Sequence, residues 1–156
     1  MSLSDTDHNH EHCVSNAVAQ AEVICAEQGK RLTALRRRVL ELVWGSHKPV
    51  GAYDVLEALS AAGKRAAPPT VYRALDFLME AGLVHRLDSL NAFIGCSDPS
   101  HPHHGQFLIC RECRRVTEID VGTVNAQIAK VAANAGFVAE QQMLEVQGVC
   151  RLCASE

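Results

Sequence analysis

The sequence predicts an α+β protein built as an N-terminal winged helix-turn-helix followed by a small α/β domain. Three observations predict it. Up to Gly82, apolar residues recur at helical spacing in successive segments, each closed by glycine or proline. The pattern then changes to two short apolar runs around Asp88-Ser89, as in a hairpin. Beyond a break rich in Pro, His, Ser and Gly, a last segment is bracketed by two cysteine pairs, Cys110-x-x-Cys113 and Cys150-x-x-Cys153.

Residues 1–14 are polar and acidic, with interleaved His8, His10 and His12, and are predicted to be a disordered tail. A helix is predicted from Ser15 to about Glu27, with Ala17, Ala21, Ile24 and Cys25 on one face and Gly29 as its stop. Thr33 is a suitable N-cap for a second helix carrying Leu35, Val39, Leu42 and Val43, broken at His47-Lys48-Pro49. A third begins near Gly51, turns Val55, Leu56 and Leu59 inward and stops at Gly63. Pro68 and Pro69 open a fourth, since proline is tolerated in a first helical turn. Its apolar stripe is Val71, Ala74, Leu75 and Leu78, which leaves Thr70, Arg73, Asp76 and Phe77 off the core face. Leu83–Leu87 and Ala92–Gly95 form the hairpin, the wing of a domain spanning 15–95.

Residues 96–105 are predicted to be a hinge loop and 106–156 a second domain. There, Gln106–Ile109 and Val116–Ile119 read as strands. Val121–Ala135 reads as a helix whose Ile128 and Val131 face a core, ended by Gly136, and Phe137–Val146 as a final strand.

The net charge of the 156 residues is −3, but its distribution is uneven. Lys30–Arg86 holds ten basic and five acidic residues, and both flanks are net acidic. A basic module between acidic ones is the electrostatic footprint of nucleic-acid binding, with a merely solvated basic surface as the competing reading. The first residues form no apolar leader and no run reaches the length of a membrane span, so a cytoplasmic protein with no membrane partner is expected. In a reducing compartment, seven clustered cysteines read as metal ligands rather than disulfides.

The cysteine pairs carry the most specific chemistry. Each presents two thiolates from one tight turn, and two pairs complete a tetrahedral zinc shell. Zinc suits four soft ligands and a closed structural clamp without redox chemistry. A dithiol redox centre is the alternative for one pair alone, but zinc-bound thiolates are not free to react. A looser set, His85, Cys96, His101, His103, His104 and Glu118, spans the junction between the two domains. All are zinc-competent, although His85 also suits a hairpin surface and Cys96 a small buried side chain. On the fourth helix, Arg73 suits a groove-entering helix that grips guanine O6 and N7, and Tyr53, near the start of the third, suits contact with a phosphate or thymine methyl; an ordinary amphipathic helix with a solvated arginine is the competing reading.

The run Pro-Pro-Thr-Val-Tyr-Arg-Ala-Leu-Asp-Phe-Leu, followed by Gly-Leu-Val-His and Phe-Leu-Ile-Cys-x-x-Cys, closely resembles the ferric uptake regulator family and its zinc uptake branch in particular. The resemblance runs from about Ala21 to Cys153. It implies that the second domain dimerises the chain, and that the cytoplasmic homodimer binds double-stranded operator DNA when loaded with metal. It implies a structural zinc on Cys110, Cys113, Cys150 and Cys153, and a regulatory zinc on His85, Cys96, His103 and Glu118, two Zn2+ per chain. His101 and His104 stand as alternatives to His103. It further implies DNA contacts from Tyr53 and Arg73, with Thr70 and Tyr72 in the same motif. Iron-responsive relatives carry a His-His-Asp-His-type run before the first cysteine pair. Here that run is His101-Pro-His103-His104-Gly-Gln, without a carboxylate, and the softer donor set favours zinc.

A zinc-dependent repressor of zinc-uptake genes, and not an enzyme with a small-molecule substrate, is therefore expected. An iron- or peroxide-responsive regulator of the same family is the runner-up. A zinc-storage or delivery protein is the alternative from another class; it accounts for the ligands but not for a basic winged helix.

Overall fold

A computed structural model describes residues 10–46, 48–101 and 105–155. The chain divides into two compact units, residues 1–99 and 100–156. The division falls inside the segment expected to be a loop.

The first unit opens with α1, His10–Glu27. The helix starts five residues before Ser15, so residues 10–14 are helical where a disordered tail is expected; residues 1–9, with His8, lie outside the described residues. Ser15 Oγ donates to the Glu11 carbonyl at 2.5 Å, a bond that belongs to a formed first turn. The apolar face is the one read from the spacing: Ala17, Ala21, Ile24 and Cys25 are all buried. Gly29 closes the helix at φ 64°, a conformation that favours glycine.

Helix α2, Ala34–Trp44, is capped by Thr33, whose hydroxyl accepts from Arg36 N. Helix α3, Ala52–Ala61, begins after Gly51, and the Asp54 carboxylate accepts from Gly51 N at 3.0 Å. Helix α4, Pro68–Glu80, has its prolines in the first turn and buries all four residues of its predicted stripe. Side chains from these helices merge into one core, with Leu40, Leu59, Leu75 and Leu78 essentially inaccessible. Phe77 is a departure: it is half-buried against that core rather than solvated.

The wing follows. Strands β1, Val84–Leu87, and β2, Ala92–Gly95, pair antiparallel through a 3-10 turn over Asp88–Leu90, and Asn91 takes the left-handed conformation. Val50 and Phe93 exchange backbone hydrogen bonds of 2.9 and 2.8 Å, stitching the hairpin to the α2–α3 link.

The second unit is a three-stranded sheet in the order β4-β3-β5 with helix α5 in the crossover. Strand β3, Gly105–Cys110, is antiparallel to β4, Val116–Glu118, and parallel to β5, Met143–Gly148. The last strand begins six residues later than Phe137, and a four-residue helix α6, Arg151–Ala154, follows it. Helix α5, Gly122–Asn134, has no buried residue. The expectation that Ile128 and Val131 face a core is overturned: they are 39% and 67% exposed. The spacing is that of an apolar stripe, but nothing within this unit covers it.

The second unit's inaccessible side chains are concentrated on β3, around Phe107. Truncating a buried phenylalanine costs about 3–5 kcal/mol. Phe107→Ala is therefore predicted to open the second unit selectively. Hydrogen exchange should accelerate at β3 amides and stay slow in α4; equal acceleration in both would contradict the independence of the two cores.

Candidate metal centre and nucleic-acid face

Parallel pairing is what gathers the cysteines. Cys110 ends β3 and is in register with Gly148 at the end of β5, so both cysteine turns leave the same end of the sheet. The Arg111 N–H donates to the Gly148 carbonyl and fixes one turn against the other. Arg114 adopts φ 59° to close the first turn. The four sulfurs of Cys110, Cys113, Cys150 and Cys153 lie within 4.8 Å of one another, with Cys113 Sγ 3.8 Å from Cys150 Sγ.

The backbone prepares these sulfurs unequally. The Cys113 N–H, then those of Cys150 and Glu112, point at Cys110 Sγ and hold its thiol down at about 6. Cys153 is pushed up to about 12, because its proton is shared with Cys150 Sγ, its surroundings are desolvated, and the remaining sulfurs hold it further. Of the two, Cys110 ionises the more readily and Cys153 the less. The donor set, four thiols on two rigid turns, fits a tetrahedral soft-metal shell.

The other predicted ligands sit as follows. His85 is on β1 and Cys96 follows β2, both in the first unit; their ligand atoms lie within 4.8 Å of each other. Cys96 is buried and its N–H donates to the Leu83 carbonyl at 3.0 Å. Glu118 ends β4 in the second unit. His101 is exposed; His103 and His104 lie outside the described residues.

The predicted DNA-contacting residues lie on α3 and α4 of the first unit. Tyr53 is 74% exposed at the start of α3, and Tyr72 and Arg73 are exposed on α4. Tyr53 and Tyr72 line one shallow depression with Ala52, Leu56, Pro68 and Val71. Thr70 is half-exposed, and Arg73 Nε rests on the Pro69 carbonyl at 3.3 Å.

Sequence reading missed the residues that set this helix. Gln28 Nε2 donates to the Ala81 carbonyl at 3.3 Å and Lys30 Nζ to the Glu80 carbonyl at 3.1 Å, satisfying carbonyls at the end of α4. The Arg36 guanidinium lies 3.6 Å from the centroid of the Phe77 ring, which explains why Phe77 leaves solvent. These partners lie 41 to 53 residues apart in the chain, and no local motif announces them.

The fold and sites define a winged-helix protein with a cysteine metal clasp. The model of the ferric uptake regulator family matches residues 27–147. The chain is 40% identical to the zinc uptake regulation protein of Escherichia coli (strain K12) over 137 residues, 87% of this chain and 80% of that protein. It is 31% identical to the ferric uptake regulation protein of Bordetella parapertussis, covering 80% and 90% of the two chains. The structure superposes on a zinc uptake regulator complexed with zinc and DNA at a TM-score of 0.87, with 38% identity and 91% and 95% coverage. The chain belongs to the ferric uptake regulator family.

The unequal thiols predict the pH response of the clasp. Protons compete with zinc for the sulfurs, so affinity should fall as pH is lowered. Zinc binding at pH 7.5 should release protons, with Cys153 among their sources and Cys110 already ionised above about pH 6. Calorimetry in two buffers of different ionisation enthalpy measures the release; buffer-independent heats would contradict it.

Proposed function

We propose that this chain is a zinc-responsive transcriptional repressor that binds operator DNA as a zinc-loaded homodimer and controls zinc-uptake genes in the cytoplasm. The observation that carries this reading is near-full-length similarity to zinc uptake regulators, greater than to the ferric regulator compared above. None of the seven cysteines is in a disulfide, so their sulfurs are available as ligands.

The structural zinc is assigned to Cys110, Cys113, Cys150 and Cys153. Thiolates must be deprotonated and gathered to bind it, so metal binding and folding of the second unit are coupled. The homodimer is supported by apolar surface that one chain leaves uncovered: Val124, Ile128 and Val131 on α5, and Met143 and Val146 on β5. A two-fold dimer presents two α4 helices and reads a pseudo-palindrome, its half-sites about one helical turn or a multiple apart. Tyr53, Thr70, Tyr72 and Arg73 are the proposed contacts.

The sensor is a second zinc per chain, on His85, Cys96, His103 and Glu118. His85 and Cys96 belong to the winged helix and Glu118 to the other unit, so one ion on all of them joins the two. Zinc favours the joined arrangement and raises the population able to match the groove spacing. Linkage then requires operator DNA to tighten this zinc by the same factor.

Cys96→Ser is predicted to keep a folded dimer with its structural zinc, to hold one metal fewer per chain and to lose zinc-dependent operator binding. Metal stoichiometry measured beside operator affinity, with and without a chelator, decides it; two zincs per chain and full binding would remove Cys96 from the sensor. Arg73→Ala is predicted to cost about 1–3 kcal/mol on operator and to relax base preference at one position per half-site. Equal losses on operator and random DNA would remove its base-reading role.

A further inference from the structure

The chain has one tryptophan, and it stands against the backbone that leads to Cys96. Trp44 is the last residue of α2 and packs beside the core of the first unit. Gly95 is the last residue of β2. A Cβ built on Gly95 falls inside the indole, against Cε2 and Nε1. Only a residue without a side chain lets backbone and ring come this close.

The contact closes a short mechanical chain within one unit. Cys96 follows Gly95 directly and is anchored on the other side by its bond to the Leu83 carbonyl. His85, whose ligand atom lies within 4.8 Å of Cys96 Sγ, is on the paired strand, opposite Ile94. Trp44 continues α2, which packs against both β2 and α4. Interiors packed this tightly transmit a displacement rather than absorb it.

We infer that Trp44 is a positioning residue for the sensor metal: its indole, seated on Gly95, sets where β2 delivers Cys96 and couples that position through α2 to the DNA-reading helix α4. The inference rests on the reading that His85 and Cys96 hold the regulatory zinc. A metal shell tolerates ligand displacements of about 0.2 Å. A methyl group forced between Gly95 and the ring must displace one or the other by more than that, and a displaced strand weakens zinc binding before it prevents folding.

The test uses the full-length chain with its cysteine clasp filled, titrated with zinc against a competing chelator. Gly95→Ala is expected to keep the structural zinc and weaken the second by roughly 10–100-fold, the range seen when groups behind the ligands are altered. Adding Trp44→Leu to Gly95→Ala makes room for the methyl and is expected to recover most of that loss. In the unaltered chain, the second zinc is expected to shift Trp44 emission, and Cys96→Ser to abolish the shift. Wild-type zinc affinity in Gly95→Ala overturns the inference, as does a double variant no better than Gly95→Ala. If Gly95→Ala fails to fold, the emission measurement decides alone, and an unchanged emission overturns it. If Cys96→Ser still binds the second zinc, the metal assignment itself has failed, a result distinct from a latch that does not matter.

Discussion

Four cysteine sulfurs held within 4.8 Å of one another are the constraint on which the second unit depends. As thiolates without a cation they repel, and as thiols they gather little binding energy. Yet the unit has little else to hold it. Its inaccessible side chains lie on and beside β3, while α5 and β5 bury none. A sheet with so small an apolar face is marginal by itself. Structural zinc on such ligands contributes roughly 10–16 kcal/mol of apparent binding energy in small peptides, more than the usual stability of a domain. The parallel register of Cys110 with Gly148 therefore does more than complete a sheet. It brings sulfurs from the two ends of the domain's sequence within reach of a single ion.

The first unit is organised on the opposite principle. Burial of leucine and valine from four helices holds it, and polar groups are used for direction rather than strength. The end of α4 shows the difference. Gln28 and Lys30 reach across from the α1–α2 link to its last carbonyls, and Arg36 covers Phe77. Each contact is individually worth about 1 kcal/mol. Together they orient a helix whose other end carries Thr70, Tyr72 and Arg73, the proposed DNA contacts. The same economy appears at the wing, where Val50 and Phe93 bond the hairpin to the helical core and Trp44 meets Gly95. The proposed sensor residues His85 and Cys96 thus sit on a hairpin that cannot shift without consequence for α2.

Much of this was legible in the chain itself, and for local reasons. The stripes of α1 and α4, the cap at Thr33, the prolines opening α4 and the glycines closing helices depend on residues within a few positions of one another. The cysteine spacing was equally legible, because two thiols from one turn have few other uses in a reducing compartment. The α1 start was misplaced because a histidine-rich, acidic segment carries no apolar periodicity, although its backbone still completes helical bonds such as Ser15 to Glu11. The stripe on α5 is apolar, as its spacing predicts, but it is not buried within the chain. Periodicity reports which residues seek burial, not whether the same chain supplies the surface.

By itself, then, the sequence determined the helices of the winged unit, the hairpin that follows them and the four thiols of the clasp, all features set by neighbours along the chain. Only the tertiary structure decided which strand runs beside which, that Cys110 and Cys150 leave the same end of a sheet, that the last carbonyls of α4 are met by side chains about fifty residues away, and that Trp44 occupies the space above Gly95. The physical reason is range. Propensity, capping and turn chemistry act over a few residues and can be read in order, whereas register and packing arise between segments far apart in sequence and exist only once the chain has closed on itself.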